Sequence, residues 1–564
     1  MEHYDIQVER DVAVKMRDGT VLRADIYRPR AEQKFPVLLK RTTYDKRVNS
    51  DIGARGAARG YVVILQDCRG RYLSEGDWYP FKSESQDGYD SVEWAAALPY
   101  ANGKVGMIGG SYVGATQMLA AIAQPPHLAG VFSYITAADY YREWTYQGGA
   151  LKLWFDESWA ADLARDTMAR TTVKTIQQPI WKLPLESFPF FQERLFGPGA
   201  EGARGLAPYF FDWLAHPSDD DYWKQWSIAA HHHKIQVPVY NVGAWYDVFQ
   251  GGTLHNFTGL KVNAGNEIAR HGQKLLITVG GHAGFGRKVG DIDFGSQAEI
   301  DIDAVMLDWY DHLLKGIENQ EAKARPVKLF VMGENTWREE DNWPLERARN
   351  VRLYLHSRLG ANGLNGDGTL SAAPPEEETP DTFTYDPEDP VFTRGGACCG
   401  TGLLPGPYDQ RPIEARHDVL LYTTQAFEHD CEVTGPVSLE LYASSSAVDT
   451  DFTAKLVDVF PDGYALNLTD GILRARYRNS FERPEPMNPD EVYKFTIDLW
   501  ATSNLFRCGH KLRLEISSSN FPLFDRNLNT GEDQRNATRI AKARNTVHHE
   551  SKWPSALIIP EVPR

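Results

Sequence analysis

The segment Lys104-Val-Gly-Met-Ile-Gly109-Gly110-Ser111-Tyr112-Val113-Gly114 decides the fold. A short apolar run leads directly into two glycines and a serine, and a helix-forming stretch (115–121) follows. A serine on such a tight strand-to-helix turn lies exposed above the end of a sheet, where a base can reach its hydroxyl. The glycines are needed because the tight turn leaves little room for side chains. The segment therefore predicts an α/β fold with Ser111 as a candidate nucleophile.

Two other interpretations of this turn stay open on the segment alone. Its common form is G-x-S-x-G, whereas here Val113 holds the last position and Gly114 follows it. The turn can be purely structural and its serine can have no catalytic role, because a fold feature does not by itself establish a function. Glycine-rich turns before helices also bind phosphate. That alternative is weaker, since neither G-x-x-x-x-G-K-[ST] nor G-x-G-x-x-G occurs here.

Apolar runs on both sides of the serine turn extend the α/β pattern. Residues 12–27 alternate about Asp18-Gly19 and predict a hairpin. Four short apolar runs are typical of buried strands in a parallel sheet: 35–40, 61–66, 237–242 and 274–279. The last two resume the pattern after a long interruption, so we expect a domain inserted within the α/β core.

The remaining chain divides into a helical insertion and an all-β part. Seven of the fifteen tryptophans fall in the insertion, whereas period-two alternation dominates after about residue 345. Such alternation with long loops is typical of a β-sandwich or jelly roll. The predicted units are the first part of the core (1–140), a helical cap (141–235), the second part of the core (236–345) and a jelly-roll domain (346–564).

A serine nucleophile needs a base and an orienting carboxylate, which follow it in the order Asp/Glu, then His, in this kind of fold. Both are expected just past the carboxyl ends of strands, where the sheet opens to ligands. Asp247 follows the run 237–242, and His282 follows the run 274–279. The sequence therefore predicts Ser111, Asp247 and His282 as a catalytic triad.

The other histidines fit the role of base less well. His271 precedes its strand and is expected at the opposite edge of the sheet, while His255 and His312 lie on predicted helices. The run 231–233 is three histidines at the end of the insertion, which is more typical of a solvated or packed cluster than of a metal site.

Asp67 is the rival carboxylate, since it also lies past a predicted strand. It precedes Ser111 in the chain and stands in a turn rich in arginine and glycine. We therefore predict that it forms a structural ion pair with Arg69 or Arg71.

Composition excludes several classes of protein. The 564 residues carry 60 basic and 76 acidic side chains, a net charge of −16, so nucleic acid is not an expected partner. No run reaches the ~18 apolar residues of a membrane span, and the first residues lack the apolar core of a signal peptide. Five cysteines without a C-x-x-C pair indicate no metal and a reduced, cytoplasmic setting. The role of Cys398-Cys399 and the oligomeric state, a homo-oligomer included, stay open.

The chain resembles the cocaine esterase-like (CocE/NonD) hydrolases, which are related to Xaa-Pro dipeptidyl-peptidases and α-amino acid ester hydrolases. The resemblance extends over nearly the whole chain, in one order. It is carried by the serine turn quoted above and by these segments: Met16-Arg-Asp-Gly19, Tyr27-Arg-Pro29, Arg41-Thr-Thr-Tyr44-Asp45-Lys46, Gln66-Asp67-Cys-Arg69-Gly70, Ser74-Glu75-Gly76, Ala244-Trp-Tyr-Asp247 and Asp291-Ile-Asp-Phe-Gly295.

The resemblance implies an α/β-hydrolase core with an inserted helical cap and a C-terminal jelly roll, and no metal or organic cofactor. It implies the same triad, and it implies that the hydroxyl of Tyr44 and the backbone N–H of Tyr112 form the oxyanion hole. The residue after the nucleophile supplies such an N–H in this fold generally. The elbow G-x-S-Y-x-G is usual in this family, which accommodates Val113.

Two departures from the family pattern concern the pocket. Gly280 and Gly281 stand where the family often has proline and tryptophan before the histidine, which loosens that turn and removes a bulky wall. Val248 and Phe249 stand where α-amino acid ester hydrolases carry carboxylates that hold the substrate's ammonium. Because an apolar side chain cannot pair a charge, an α-ammonium substrate is disfavoured there.

Three functional interpretations follow. The first is a carboxylic ester hydrolase acting on a small-molecule substrate, with an apolar or aromatic group held by Phe249 and a cap tryptophan, Trp144 or Trp154. The second is an amidase or Xaa-Pro peptidase, for which one of three cap carboxylates must bind the amine: Glu143, Asp156 or Glu157. The third is a saccharide- or protein-binding protein with an idle triad, although a complete triad in the right order would be a coincidence there.

Overall fold

The computed structural model describes residues 3–48, 50–169, 180–181, 183–187, 207–282, 284–400 and 402–564. Much of the predicted cap (141–235) therefore lies outside the described residues, namely 170–179, 182 and 188–206. Within the described part, no helix is both long and apolar enough to cross a bilayer.

The first half of the chain forms a mixed sheet that is parallel at its centre. The strands run in the order β1-β2-β4-β3-β5-β6-β9-β10-β14-β15, parallel from β4 to β14 and antiparallel at both edges. They are β1 (Ile6–Lys15), β2 (Val21–Pro29), β3 (Phe35–Thr42), β4 (Val62–Asp67), β5 (Ala101–Gly110), β6 (Leu128–Tyr134), β9 (Val239–Tyr246), β10 (Lys274–Gly281), β14 (Val327–Val331) and β15 (Thr336–Glu340). The short pairs are β7 (Tyr146–Gln147) with β8 (Ala150–Leu151) and β12 (Lys288–Val289) with β13 (Ile292–Asp293), while β11 (Gly284–Phe285) extends β10.

Helices cover both faces of this sheet. Val37 and Leu39 of β3 face α2 (Glu84–Ala96) and α3 (Tyr112–Ile122), whereas Leu38 between them faces α1 (Asp51–Ala58) and α9 (Ile302–Lys315). This alternation explains why the strand is apolar throughout, since both of its faces are buried. The described α-helices are α1 (Asp51–Ala58), α2 (Glu84–Ala96), α3 (Tyr112–Ile122), α4 (Leu153–Ala169), α5 (Pro208–Ala215), α6 (Asp221–Lys224), α7 (Gln250–Asn263), α8 (Glu267–His271), α9 (Ile302–Lys315), α10 (Gln320–Lys323) and α11 (Arg411–Glu414).

The C-terminal part is an antiparallel β domain, as the alternating pattern predicts. Its strands run in the order β18-β25-β20-β26-β16-β17-β19-β24-β21-β22, with β23 also paired to β20. They are β16 (Arg349–His356), β17 (Thr369–Ser371), β18 (Asp381–Tyr385), β19 (Leu420–Thr423), β20 (Cys431–Ser445), β21 (Asp451–Val459), β22 (Ala465–Arg474), β23 (Tyr493–Phe506), β24 (Lys511–Ser517), β25 (Ala543–His548) and β26 (Ala556–Val562).

Strand β23 joins this domain to the α/β core. It alternates exposed and buried residues up to Leu499 and is buried from Ala501 onward. The second half abandons the alternation because it packs against the core: the backbone N–H of Met332 donates to Ser503 at 2.9 Å, and that of Leu505 donates to Met332 at 2.8 Å.

Candidate active site

Ser111 lies on a strained turn between β5 and α3. Its backbone has φ +60° and ψ −130°, a region that non-glycine residues rarely adopt. Its N–H donates to the carbonyls of Tyr134 and Ile135 at 2.9 and 3.1 Å, which holds the turn in place. A strained serine at a strand–helix junction is the geometry of a nucleophile elbow.

The glycines of the elbow are required by their neighbours. A Cβ on Gly110 would lie 2.1 Å from the ring of Tyr134, and one on Gly109 would lie 2.3 Å from Val113. A Cβ on Gly114 would lie 2.8 Å from the hydroxyl of Ser133. The crowding therefore comes from side chains of the elbow and of the neighbouring strand β6, and Val113 in the usual glycine position is accommodated.

The three predicted triad residues meet at the carboxyl ends of β5, β9 and β10. His282 Nε2 lies 2.8 Å from Ser111 Oγ, and His282 Nδ1 lies 2.7 Å from Asp247 Oδ1. The Asp247 side chain is fully buried, whereas that of His282 is 12% exposed. An imidazole held in this way can accept the serine proton while the carboxylate stabilises the resulting cation.

The turn before His282 is supported from the β domain. A Cβ on Gly281 would lie 2.3 Å from the ring of Pro405, and Gly280 has φ +136° with Gly284 backbone beside it. Gly281 thus makes room for Pro405, and Gly280 makes room for the backbone of Gly284. Pro405 comes from a distant part of the chain, and the sequence alone does not reveal this contact.

The two predicted oxyanion donors lie beside Ser111. Tyr44, just past β3, is close enough that the Ser111 side chain acts to lower the pKa of its phenol, but burial outweighs this and raises that pKa to about 12. Tyr112 is the first residue of α3, so its backbone N–H has no partner within the helix. Its ring points elsewhere, since the hydroxyl donates to Glu84 at 2.9 Å. A protonated hydroxyl and a free N–H beside a nucleophile are suited to stabilise an oxyanion.

Comparison with known proteins places this site in a family. The model for X-Pro dipeptidyl-peptidase (S15 family) matches residues 18–284, and the X-Pro dipeptidyl-peptidase C-terminal non-catalytic domain matches 319–558. The chain is 36% identical to the cocaine esterase of Rhodococcus sp. (strain MB1 Bresler), over 99% of each sequence. The chain belongs to the CocE/NonD family of hydrolases. It is accordingly a serine hydrolase of a family that acts on esters or peptides.

Solved structures share the fold of this chain. An aminopeptidase from a marine sediment Thaumarchaeota archaeon has a TM-score of 0.84 at 26% identity and covers 100% of this chain and 97% of its own. A CocE/NonD family hydrolase from Staphylococcus aureus, with a TM-score of 0.72 at 22% identity, covers 99% and 94% and shares the fold. The predicted α/β-hydrolase core with its C-terminal β domain is thereby confirmed.

Aromatic rings gather beside His282 in this CocE/NonD protein. The ring of Phe249 lies 5.1 Å from that of His282 and stacks on Trp144 at 4.4 Å. Trp154, the other predicted pocket residue, lies against Gly400, where a Cβ would come within 2.7 Å of its indole nitrogen. A further ring, that of Trp159, lies 5.4 Å from that of Trp144.

Two residues near the site were not singled out from the sequence. Trp159 follows Phe155 by four residues on α4, an aromatic pair on one helix face that could have identified it. Cys399 packs half-buried against the same aromatic cluster. Burial and the charge of Asp247 raise the pKa of the Cys399 thiol to about 12. No local signal in the sequence predicts that contact, since 152 residues separate Asp247 from Cys399.

The candidate cap carboxylates have different environments. Glu143 is engaged, since its oxygens accept from His255 at 2.7 Å and from the backbone of Ala138 and Asp139. Asp156 and Glu157 are buried, and their carboxyl oxygens have no hydrogen-bond partner in the described structure. Burial raises the pKa of Asp156 well above its usual value and that of Glu157 to about 8.

The predicted partner of Asp67 was wrong. Its carboxylate accepts from the backbone N–H of Lys46 at 2.7 Å and lies 3.4 Å from the Lys46 ammonium. Arg69 reaches Asp87 on α2 instead, and Arg71 donates to backbone carbonyls. Lys46 is the nearer cation because it follows β3, the parallel neighbour of the strand that ends at Asp67.

The histidine run at the exit of the cap is a packed cluster in part. His232 is buried, and its Nε2 lies 3.0 Å from Asn256 Oδ1. Across the described ranges, no group of three or more His, Cys, Asp or Glu side chains is placed to hold a metal ion.

Proposed function

We propose that this protein hydrolyses carboxylic esters through an acyl-enzyme on Ser111. The observation that carries the proposal is the continuous relay of 2.8 and 2.7 Å from Ser111 through His282 to Asp247. His282 takes the serine proton as Oγ attacks the ester carbonyl, and Asp247 holds the imidazole in the required tautomer. The alcohol leaves with that proton, and water activated by His282 then releases the acid.

The oxyanion hole in this proposal consists of the Tyr44 hydroxyl and the Tyr112 N–H. Both carry hydrogen where the carbonyl oxygen becomes negative, and the raised pKa keeps Tyr44 protonated near neutral pH. One such donor is typically worth about 3–4 kcal/mol in the transition state. The mechanism needs no metal or organic cofactor.

The proposed substrate carries an apolar or aromatic acyl or alcohol group. Phe249 lies against the catalytic histidine, and Trp144, Phe155 and Trp159 surround it. An aromatic surface next to the reacting atoms favours an apolar group by removing it from water. The similarity to the Rhodococcus cocaine esterase supports esters as the substrate class.

A peptidase is the second candidate, favoured by the family model and the archaeal aminopeptidase. Such an enzyme needs a carboxylate for the substrate amine. Glu143 already binds His255, while Val248 and Phe249 present apolar side chains after Asp247. Only Asp156 and Glu157 have unpartnered carboxyls among the three candidates, and burial favours their neutral forms. We therefore place esters before peptides.

Labelling with a fluorophosphonate tests the proposal. We expect stoichiometric labelling at Ser111, mapped by mass spectrometry, and its loss in Ser111→Ala and His282→Ala. Hydrolysis of p-nitrophenyl esters should fall by at least about 10⁴-fold in Ser111→Ala. Ser133→Ala is the matched control, because this serine packs near the elbow and its hydroxyl has no partner in the described structure.

Three other outcomes of these experiments would contradict the proposal. Turnover of Xaa-Pro anilides well above that of esters would favour the peptidase. A protein that neither labels nor turns over either class would support the binding protein with an idle triad. Labelling at a different serine would contradict the assignment of the elbow.

A further inference from the structure

Trp159 of the cap donates a hydrogen bond to Tyr44 of the core. Its Nε1 lies 2.9 Å from the Tyr44 hydroxyl, across 115 residues of sequence. An indole N–H can donate but not accept, whereas a phenol can do both. Tyr44 is therefore the acceptor in this bond, and its own hydrogen remains free for another partner.

The Tyr44 hydroxyl also lies beside the catalytic residues of the proposed mechanism. It interacts with the Ser111 side chain, whose Oγ lies 2.8 Å from His282 Nε2. A phenol carries a single hydrogen, so a donor on one side directs that hydrogen to the other. The bond from Trp159 thus points the Tyr44 O–H at the reacting centre.

The indole of Trp159 is held firmly enough to set this direction. The residue is 8% exposed, and its ring stacks on Trp213 with 6.0 Å between centroids and 22° between planes. It also lies 5.8 Å from the ring of Tyr112. The same side chain therefore contacts both residues of the proposed oxyanion hole.

The helix that carries Trp159 is tied to the residue before Tyr44. Arg71 is buried and donates to the carbonyl of Thr43 at 3.0 Å and to that of Leu163 at 3.1 Å. Leu163 lies one turn after Trp159 on α4. The Arg71 guanidinium thus fixes the distance between the Tyr44 loop and the cap helix.

We propose that Trp159 is a positioning residue of the oxyanion hole, whose N–H orients the Tyr44 hydroxyl toward the carbonyl oxygen of the substrate. Linked hydrogen bonds also polarise one another, so the indole makes Tyr44 the stronger donor. In this way the cap helix α4 orients a hydroxyl that the core alone does not orient. The inference rests on the proposed function, in which Tyr44 stabilises the oxyanion.

A double-mutant cycle tests the coupling. Trp159→Phe and Trp159 replaced by 3-benzothienylalanine both remove the N–H, and the second keeps the size of the ring and so protects the fold. Each is made with Tyr44 and with Tyr44→Phe, and kcat, KM and the rate of fluorophosphonate labelling are measured. With Tyr44 present, we expect kcat and the labelling rate to fall about tenfold with little change in KM. In the Tyr44→Phe background the same change should have no more than about a twofold effect.

Trp144→Phe is the matched control for this cycle. The Trp144 indole packs in the same cluster, but its Nε1 has no hydrogen-bond partner in the described structure. Its replacement should change kcat by the same factor with Tyr44 and with Tyr44→Phe. If the Trp159 variants also changed kcat by the same factor with Tyr44 and with Tyr44→Phe, the proposal would be wrong and Trp159 would have only a packing role. If Tyr44→Phe itself had no effect while Ser111 still labelled, the oxyanion role of Tyr44 would fail, and the role of Trp159 with it.

Discussion

Gly281 has no side chain, and this leaves room for the ring of a proline from the β domain. Pro405 occupies the place of a Gly281 Cβ, and the next residue is His282, the proposed base. The backbone of Gly281 is not in the left-handed region, so the requirement for glycine is one of space rather than of dihedral angle. The position of the imidazole thus depends on a contact 124 residues away in the chain.

Gly281→Ala should misplace His282 and lower kcat/KM for esters by at least about tenfold, because displacements near 1 Å in a catalytic group are costly. Steady-state kinetics on the purified variant measure this. Overpacking of this kind also costs about 1–3 kcal/mol of stability.

Two companion variants make the Gly281 prediction specific. Gly284→Ala should leave kcat/KM nearly unchanged, since a Cβ there meets nothing within 4 Å. Pro405→Gly combined with Gly281→Ala should recover part of the lost activity by removing the obstacle. An unaltered Gly281→Ala enzyme would show that the Pro405 contact does not restrain the turn.

At the scale of secondary structure, a buried histidine joins several segments of the β domain. His549 follows β25, and its ring lies 3.0 Å from Asp381 of β18 and 3.1 Å from Glu378. Tyr422 of β19 donates to the same Asp381 at 2.6 Å. Burial opposes the charged imidazole, but the hydrogen bonds and charges of Asp381 and Glu378 together outweigh it and raise the pKa of His549.

This network predicts a stability that depends on pH. A raised folded-state pKa means that the His549 contribution is complete below its unfolded value near 6.5 and is lost as pH rises through the folded value. Burial opposes the charged carboxylate of Asp381, but hydrogen bonds from His549, Tyr422 and Ser357 and the charge of His549 outweigh it and lower the pKa of Asp381. The contribution of Asp381 is therefore lost only as the pH falls through that lowered value. In His549→Gln, the deficit in the thermal midpoint relative to wild type should therefore be largest near pH 6 and shrink toward pH 9.

Thermal scans of both proteins at each pH measure the deficit, at roughly 2–4 °C for each kcal/mol in a domain of this size. His127→Gln serves as the control, because His127 pairs with Glu93 at an exposed position and such pairs contribute little. A His549→Gln deficit that stayed constant from pH 6 to pH 9 would contradict the charged state of the imidazole.

At the scale of the whole molecule, core and β domain share one apolar cluster next to the active site. Trp245 and Tyr246 of β9 pack in it with strands of the β domain. Gln250, three residues after Asp247, adds a polar link: its amide donates to Ala501 at 2.5 Å and accepts from the N–H of Ala501 at 3.3 Å. The two domains should therefore unfold together.

Gln250→Ala should lower the thermal midpoint by a few degrees, because it leaves a buried N–H and C=O of β23 without their partner, at about 1–3 kcal/mol each. Calorimetry measures the midpoint and the number of transitions. Gln225→Ala is the control, since the Gln225 amide bonds Tyr222 at an exposed position. Two separate transitions in the wild-type protein would contradict the shared cluster.

The sequence by itself determined the fold class, the family and the order of the candidate triad residues along the chain. Period-two and apolar patterns are local, so the strands, the glycine elbow of Ser111 and the positions of Asp247 and His282 past their strands could be predicted. The proposed oxyanion role of Tyr44 came only from the resemblance to the family, whereas that of the Tyr112 N–H also follows from its position after the serine of the elbow. The local sequence is enough to predict features that depend on the conformation of a short stretch of backbone.

Only the tertiary structure decided what surrounds those residues. Pro405 beside Gly281, Cys399 near Asp247 and Trp159 on Tyr44 are contacts between segments far apart in the chain, which no local pattern encodes. The pairing of Asp67 with Lys46 depends on which strands are neighbours. Packing contacts depend on all the segments of the chain together, whereas periodicity can be seen within a single segment.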